Sequence, residues 1–119
     1  MRALKVGPGS DPGMDFGPLI TGAHLKKVIG YVESGVRAGA DLVVDGRGFT
    51  LQGHEEGFFI GPTLFDRVTT DMSAYKEEIF GPVLQIVRAQ SFEDAVRLPS
   101  EHQYGNGVAI FTRDGDVAR

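Results

Sequence analysis

Residues 21–46 read TGAHLKKVIGYVESGVRAGADLVVDG and predict a helix followed closely by a short strand. The apolar side chains of the helical part recur at three- and four-residue intervals, which places them on one face: Leu25, Val28, Ile29, Val32 and Val36. Thr21 is positioned to cap the first turn, and Gly39 to end the helix. Residues 41–44 then predict a strand that closes in an Asp-Gly turn.

Outward from this helix, the remaining apolar runs are short and typical of strands. They are residues 58–60 with 63–65, 83–87 and 108–111. The run 83–87 is β-branched and mostly apolar, as a buried strand is. Ser91 is placed to cap a short helix, and Pro99 is expected to end that helix early. Strands that alternate with helices predict an α/β fold with a largely parallel sheet and flanking helices.

The composition excludes several classes of function. A chain of 119 residues provides one domain. With a formal net charge of −4 and no basic run, it lacks the electrostatic footprint of a nucleic-acid-binding protein. No apolar stretch approaches the about 20 residues that a membrane-spanning helix needs. The sequence contains no cysteine, so it supplies neither a disulfide, a thiolate nucleophile nor a zinc–thiolate site.

Common catalytic motifs are also missing. The glycines do not fall at the G-x-G-x-x-G spacing, no phosphate-binding loop is present, and no serine occupies a G-x-S-x-G turn. The three histidines lie far apart in the sequence, which favours surface or turn positions over metal ligation. We therefore predict no metal site.

Residues 75–83, YKEEIFGPV, are the strongest candidate for a functional segment. A pair of carboxylates and an aromatic residue precede a Gly-Pro turn that enters a predicted strand, and loops at strand ends often carry functional side chains. A carboxylate there could accept hydrogen bonds from both hydroxyls of a ribose, and the phenyl ring could pack beside a flat heterocycle. The alternative is a solvated Glu77–Glu78 pair beside a Phe80 that belongs to the core.

Residues 104–112, YGNGVAIFT, are the second notable segment. Asn106 is flanked by two glycines, which predicts a tight turn into a strand. A purely structural role accounts for this pattern fully.

Three segments together resemble the aldehyde dehydrogenase superfamily. Residues 76–83 are similar to its Glu-x-Phe-Gly-Pro signature, residues 17–20 to its Gly-Pro-Leu-Ile segment, and residues 57–64 to its Gly-x-Phe-x-x-Pro-Thr strand. Their order and intervals also fit, so the resemblance covers essentially the whole chain. Within the superfamily, residues 75–78 combined with 104–112 look most like the branch of coenzyme-A-acylating methylmalonate-semialdehyde dehydrogenases.

The resemblance implies an enzyme that oxidises a small aldehyde with NAD or NADP. A cysteine thiolate attacks the aldehyde, hydride passes to nicotinamide, and in this branch the acyl group passes to coenzyme A, as in valine breakdown. Glu78 matches the family glutamate that holds the nicotinamide ribose hydroxyls, and Phe80 matches the aromatic residue beside that ribose. Gly81 and Pro82 shape the turn between them and the following strand. No residue of this chain matches a catalytic residue of the family.

The resemblance also implies that residues 1–119 are an internal fragment of the catalytic domain. The nucleophile, most of the NAD-binding domain and the oligomerisation strand are expected to lie outside it, and the helix begun near Asp114 looks unfinished. The parent is then expected to be a homo-oligomer in the cytoplasm, or in the mitochondrial matrix if eukaryotic, with no nucleic-acid or membrane partner. The alternative is a non-catalytic binding or regulatory module derived from such a domain.

Overall fold

The computed structural model describes residues 1–117 and forms two compact units, Met1–Arg88 and a second that begins at Ala89. In chain order the elements are α1 (Gly22–Arg37), β1 (Asp41–Val44), β2 (Thr63–Asp66), α2 (Ser73–Lys76), β3 (Val83–Gln85) and α3 (Phe92–Glu101). The first unit holds everything up to β3, and the second unit holds α3.

Helix α1 forms as its sequence predicts. The Thr21 hydroxyl accepts a hydrogen bond from the His24 backbone N–H at 3.1 Å, which satisfies one of the free donors of the first turn. Gly39 follows the helix with φ +93°, a left-handed conformation that glycine adopts without steric cost. Both predicted ends of the helix are therefore confirmed.

The sheet has the order β1-β2-β3 and is mixed. Strand β2 pairs antiparallel with β1 and parallel with β3. The predicted α/β class is confirmed, but the largely parallel sheet is not what these strands form. The reason lies in the connections: β2 and β3 are joined through α2, as a parallel pair requires, whereas the segment 45–62 contains no helix and returns antiparallel.

Two apolar clusters hold the first unit together, and α1 contributes one valine to each. Val32 packs in the cluster that contains Phe65 of β2, and Val28 packs in the cluster that contains Ile60, Ala74 and Ile79. Because Val28 and Val32 are one helical turn apart, α1 fixes the segment around Ile79 relative to β2.

Three predicted strands differ from the structure, and residues 58–60 form no strand. Residues 83–87 predict a buried strand, but β3 is an edge strand. Val83 packs against the core clusters, whereas Leu84, on the opposite face of the strand, is 51% exposed. Residues 108–111 form no strand, and Phe111 is 96% exposed. A strand needs a partner for its backbone hydrogen bonds, and the described part of the second unit supplies none.

Helix α3 begins as predicted and ends later than predicted. Ser91 caps it by accepting a hydrogen bond from the Asp94 N–H at 3.1 Å. Pro99 lies inside the helix, which continues to Glu101, so the early end was wrong. In the last turn a proline removes a single backbone hydrogen bond, a smaller disruption than in a helix centre. Residues 115–117 form a turn, and the rest of the predicted terminal helix lies outside the described residues.

An ion pair between Asp66 and Arg88 is expected to make the stability of the first unit depend on pH. The Arg88 guanidinium donates two hydrogen bonds to the Asp66 carboxylate, at 3.0 and 2.6 Å, and with the Arg67 N–H it holds the pKa of Asp66 below its ordinary value. A carboxyl whose pKa is lowered by folding stabilises the folded state above its unfolded pKa of about 3.9, and this contribution is lost as the pH falls through the folded pKa.

Arg88→Met should therefore lower the urea midpoint at pH 7 and converge with the unsubstituted chain as the pH falls below about 4. Urea unfolding between pH 7 and pH 2 measures this. Arg37→Met is the matched control, because Arg37 forms an exposed and longer pair with Glu33 at 3.8 Å. A difference between Arg88→Met and the unsubstituted chain that stays constant with pH would contradict the assignment.

Candidate functional site

The loop between α2 and β3, residues 77–82, presents two side chains to solvent around one buried anchor. Ile79 is 7% exposed and packs with Val28, Ile60 and Ala74. On either side of it, Glu78 is exposed and Phe80 is 74% exposed. The alternative in which Phe80 belongs to the core is therefore wrong. Glu77 is exposed as well, so both carboxylates of the pair are accessible.

Phe80 adopts an uncommon backbone conformation. Its φ is +56°, and within residues 1–117 only one other non-glycine residue, Arg67, has a positive φ. A bulky residue in this region is strained, and such strain persists only where the surroundings hold it in place. Since the Phe80 ring is exposed, the strain is not compensated by burial of that ring.

Three contacts fix the backbone around Phe80. The Nε2 atom of His24 in α1 lies 2.7 Å from the Phe80 carbonyl oxygen. The Thr63 N–H of β2 donates to the Pro82 carbonyl at 2.9 Å. A Cβ added to Gly81 would lie 2.8 Å from Cγ2 of Val28, so the loop approaches α1 closely enough that only glycine fits. The turn is thus attached to both the helix and the sheet.

The short helix α2 that precedes the loop is attached in the same way. The hydroxyls of Ser34 in α1 and Ser73 in α2 are hydrogen-bonded at 2.7 Å. The side-chain amide of Gln85 in β3 donates to the Ala74 carbonyl at 2.7 Å, while its buried Oε1 has no hydrogen-bond partner. The Glu77 N–H donates to the Ser73 carbonyl at 3.0 Å and closes the helix. The segment that carries Glu78 is therefore held at its start by hydrogen bonds to α1 and β3, and at its end by the hydrogen bond between Thr63 and Pro82.

Two residues that contribute to this loop were not identified from the sequence. His24 was predicted to be a surface or turn residue, yet it is half-buried and contacts a carbonyl 56 positions away. Gln85 is the polar residue in the otherwise apolar run 83–87. A polar side chain inside such a run is the signal that could have indicated a buried hydrogen bond.

The exposed side chains of Glu78 and Phe80 have the chemistry to contact a flat, hydroxylated ligand. The Glu78 carboxylate offers two acceptor oxygens, which can receive hydrogen bonds from two neighbouring hydroxyls. The exposed Phe80 ring offers an apolar surface of the size of a heterocycle. The second candidate segment, residues 104–112, lies in the other unit and is exposed. The predicted tight turn into a strand is wrong, because the segment bends at Asn106 and forms neither a hydrogen-bonded turn nor a strand.

Two hollows lie elsewhere on the two units. In the first unit a cavity of about 210 Å³ lies between α1 and the loop around His54. Arg47 at its edge donates to the Asp45 carboxylate, at 2.9 and 2.6 Å, and this hydrogen bonding holds the pKa of Asp45 below its ordinary value. In the second unit an apolar hollow of about 540 Å³ is lined by α3 and the segment around Ile110.

Residues 1–117 present neither a cluster of metal-ligating side chains nor a membrane-spanning helix. No group of three or more histidine, cysteine, aspartate or glutamate side chains is arranged to hold a metal ion. No helix in this range combines the length and apolar character needed to cross a bilayer.

Comparison with known proteins connects this chain to one family. The sequence profile of the aldehyde dehydrogenase family matches residues 1–119. The malonate-semialdehyde dehydrogenase of Pseudomonas aeruginosa is 60% identical over 119 residues, which are 100% of this chain and 24% of that protein. The mitochondrial acylating methylmalonate-semialdehyde dehydrogenase of Arabidopsis thaliana is 48% identical over 118 residues, 99% of this chain and 19% of that protein.

One solved structure has nearly the same fold as this chain. It is a Sinorhizobium meliloti 1021 protein assigned as a methylmalonate-semialdehyde dehydrogenase and crystallised with NAD. It superimposes with a TM-score of 0.94 at 55% identity, over 98% of this chain and 24% of the other. The chain thus spans between about a fifth and a quarter of the length of these relatives.

Proposed function

The chain belongs to the aldehyde dehydrogenase family, and from that premise we propose that residues 1–119 form part of the catalytic domain of an NAD-dependent aldehyde dehydrogenase. The observation that carries the proposal is the loop 77–82, in which Glu78 and the strained Phe80 are both presented to solvent around the buried Ile79. Its role in the proposed enzyme is to hold the nicotinamide half of NAD.

The residues present fit that cofactor. Glu78 accepts hydrogen bonds from the two hydroxyls of the nicotinamide ribose, and the negative charge strengthens both bonds. The ring of Phe80 packs against the ribose and the nicotinamide and excludes water from one side of them. Gly81 allows the loop to approach α1 closely, and this contact supports the backbone that carries both side chains. The relative from S. meliloti that contains NAD supports this choice of cofactor.

The chemistry needs the nicotinamide at one fixed distance from the substrate. NAD supplies the hydride acceptor, and the family resemblance implies a cysteine thiolate outside residues 1–119 that makes the aldehyde a hydride donor. Glu78 and Phe80 contribute by orientation, because a misplacement of about 1 Å in such a reaction can cost about a hundredfold in rate.

The substrate class is proposed from the relatives. The two relatives reported above act on malonate semialdehyde and methylmalonate semialdehyde, and the second is described as acylating. We propose a short semialdehyde that carries a carboxylate as the substrate, with coenzyme A as the acyl acceptor. We also propose a homo-oligomer, located in the cytoplasm of a bacterium or, in a eukaryote, in the mitochondrial matrix; the Arabidopsis relative is described as mitochondrial.

The test begins with the reading frame that encodes this segment. We expect it to continue on both sides and to encode a cysteine upstream of residue 1. The purified product should form NADH from malonate semialdehyde or methylmalonate semialdehyde with coenzyme A, and acyl-coenzyme A should appear in equal amount. Stop codons directly on both sides, or a full product that binds NAD but oxidises no aldehyde, would instead support a non-catalytic module.

A further inference from the structure

His24 approaches the cofactor loop from helix α1 with a defined chemistry. Its Nε2 lies 2.7 Å from the Phe80 carbonyl oxygen. Because a carbonyl oxygen only accepts hydrogen bonds, Nε2 must carry the hydrogen and donate it. The ring is thereby fixed as the Nε2–H tautomer or the imidazolium.

Helix α1 gives this donor a rigid base. His24 lies in the first turn, where its own N–H is bound to the Thr21 hydroxyl. One turn later on the same face, Val28 is fully buried and contacts the cluster that contains Ile79. His24 and Val28 therefore bracket the loop: Val28 packs at Ile79 and close to Gly81, and His24 binds the carbonyl between these two residues.

We infer that His24 is a positioning residue for the cofactor site, an inference that rests on the function proposed above. By donating to the Phe80 carbonyl, it holds Phe80 at φ +56°. A loop without this bond relaxes toward the common negative-φ regions, which rotates the Phe80 ring and displaces Glu78 two residues earlier. His24 then acts on hydride transfer through Glu78 and Phe80, without a role in the attack on the aldehyde.

The test compares variants of the full-length enzyme in two reactions. Single-turnover formation of NADH reports hydride transfer, and hydrolysis of a non-redox ester reports the nucleophile alone. His24→Leu should slow NADH formation by about two- to tenfold, the range of one neutral hydrogen bond. Ester hydrolysis and the melting temperature without NAD should stay unchanged. A merely structural role would instead lower both activities together.

Variants of His24 that differ in the length of the side chain provide matched controls. His24→Gln places an amide N–H as many bonds from Cβ as Nε2, so it should restore most of the rate. His24→Asn is one bond too short to reach and should resemble His24→Leu, which keeps the test valid if the leucine variant does not fold. His54→Leu removes an exposed histidine of the same unit and should have no effect.

A double variant shows whether His24 acts through Glu78. If it does, part of the His24→Leu effect should disappear in the Glu78→Gln background, so the double variant should be less slow than the product of the two single effects. If Glu78→Gln slows NADH formation while His24→Leu leaves it unchanged, or if the two effects multiply, the inference about His24 is overturned and the proposed function stands. If Glu78→Gln itself has no effect, the proposed cofactor site fails.

Discussion

The isolated 119-residue chain is expected to oxidise no aldehyde, even with NAD and coenzyme A present. The family resemblance implies a covalent route through a cysteine thiolate, and this sequence contains no cysteine. Without an attacking nucleophile the aldehyde never becomes a hydride donor, so the reaction is absent rather than slowed. NADH absorbance with malonate semialdehyde, followed beside a buffer blank, measures this.

A contaminating dehydrogenase would give false turnover in that assay, and the chain provides its own control. The Glu78→Gln variant of the isolated chain, purified in the same way, should show the same background. Turnover that exceeds the background and falls in this variant would contradict the prediction, because it would show that residues 1–119 act without the thiolate.

In the full-length enzyme, Glu78→Gln is expected to slow hydride transfer by about ten- to a hundredfold. The substitution keeps the shape of the side chain and removes its charge, and a hydrogen bond to a charged group contributes roughly 1.5–3 kcal/mol. Acylation of the cysteine by a non-redox ester should barely change, because that step needs no hydride acceptor. Single-turnover NADH formation beside ester hydrolysis measures both rates.

Glu77→Gln is the matched control for this substitution. Glu77 is also exposed, but it precedes Glu78 and its N–H closes helix α2. We expect it to be nearly silent in both reactions, while Phe80→Ala should weaken cofactor binding with a smaller effect on ester hydrolysis. If Glu77→Gln slows hydride transfer and Glu78→Gln does not, the ribose is held by the first carboxylate of the pair.

The elements that local sequence determines were predictable. Helix α1 has a cap at Thr21, a glycine at position 39 and an apolar stripe between them, and each acts within a few residues. The Ser91 cap of α3 is equally local. In each case the physical cause of the element lies inside the segment that forms it.

Elements that depend on a distant partner were not predictable. The direction of β1 relative to β2 follows from how the helix-free segment 45–62 returns, which no periodicity encodes. Residues 108–111 have the composition of a strand and no partner within the described residues, so they stay unpaired. The apolar pattern predicts what a segment can form, whereas the available neighbours decide what it does form.

The candidate site was also predictable only where it depends on local sequence. The signature in residues 76–83 indicated Glu78 and Phe80, because their spacing from the Gly-Pro turn is local. The strained backbone at Phe80 and its bond to His24 depend on a contact between positions 56 residues apart, which no local pattern encodes.

A crystal structure of the full-length enzyme with NAD bound tests the central claim most directly, since that claim concerns what the loop 77–82 holds. We predict that the two Glu78 carboxylate oxygens lie about 3 Å from the two hydroxyls of the nicotinamide ribose, with the Phe80 ring against the ribose and the His24–Phe80 bond intact. A nicotinamide ribose bound elsewhere, with Glu78 more than about 4 Å from both hydroxyls while the enzyme is competent for hydride transfer, would contradict it.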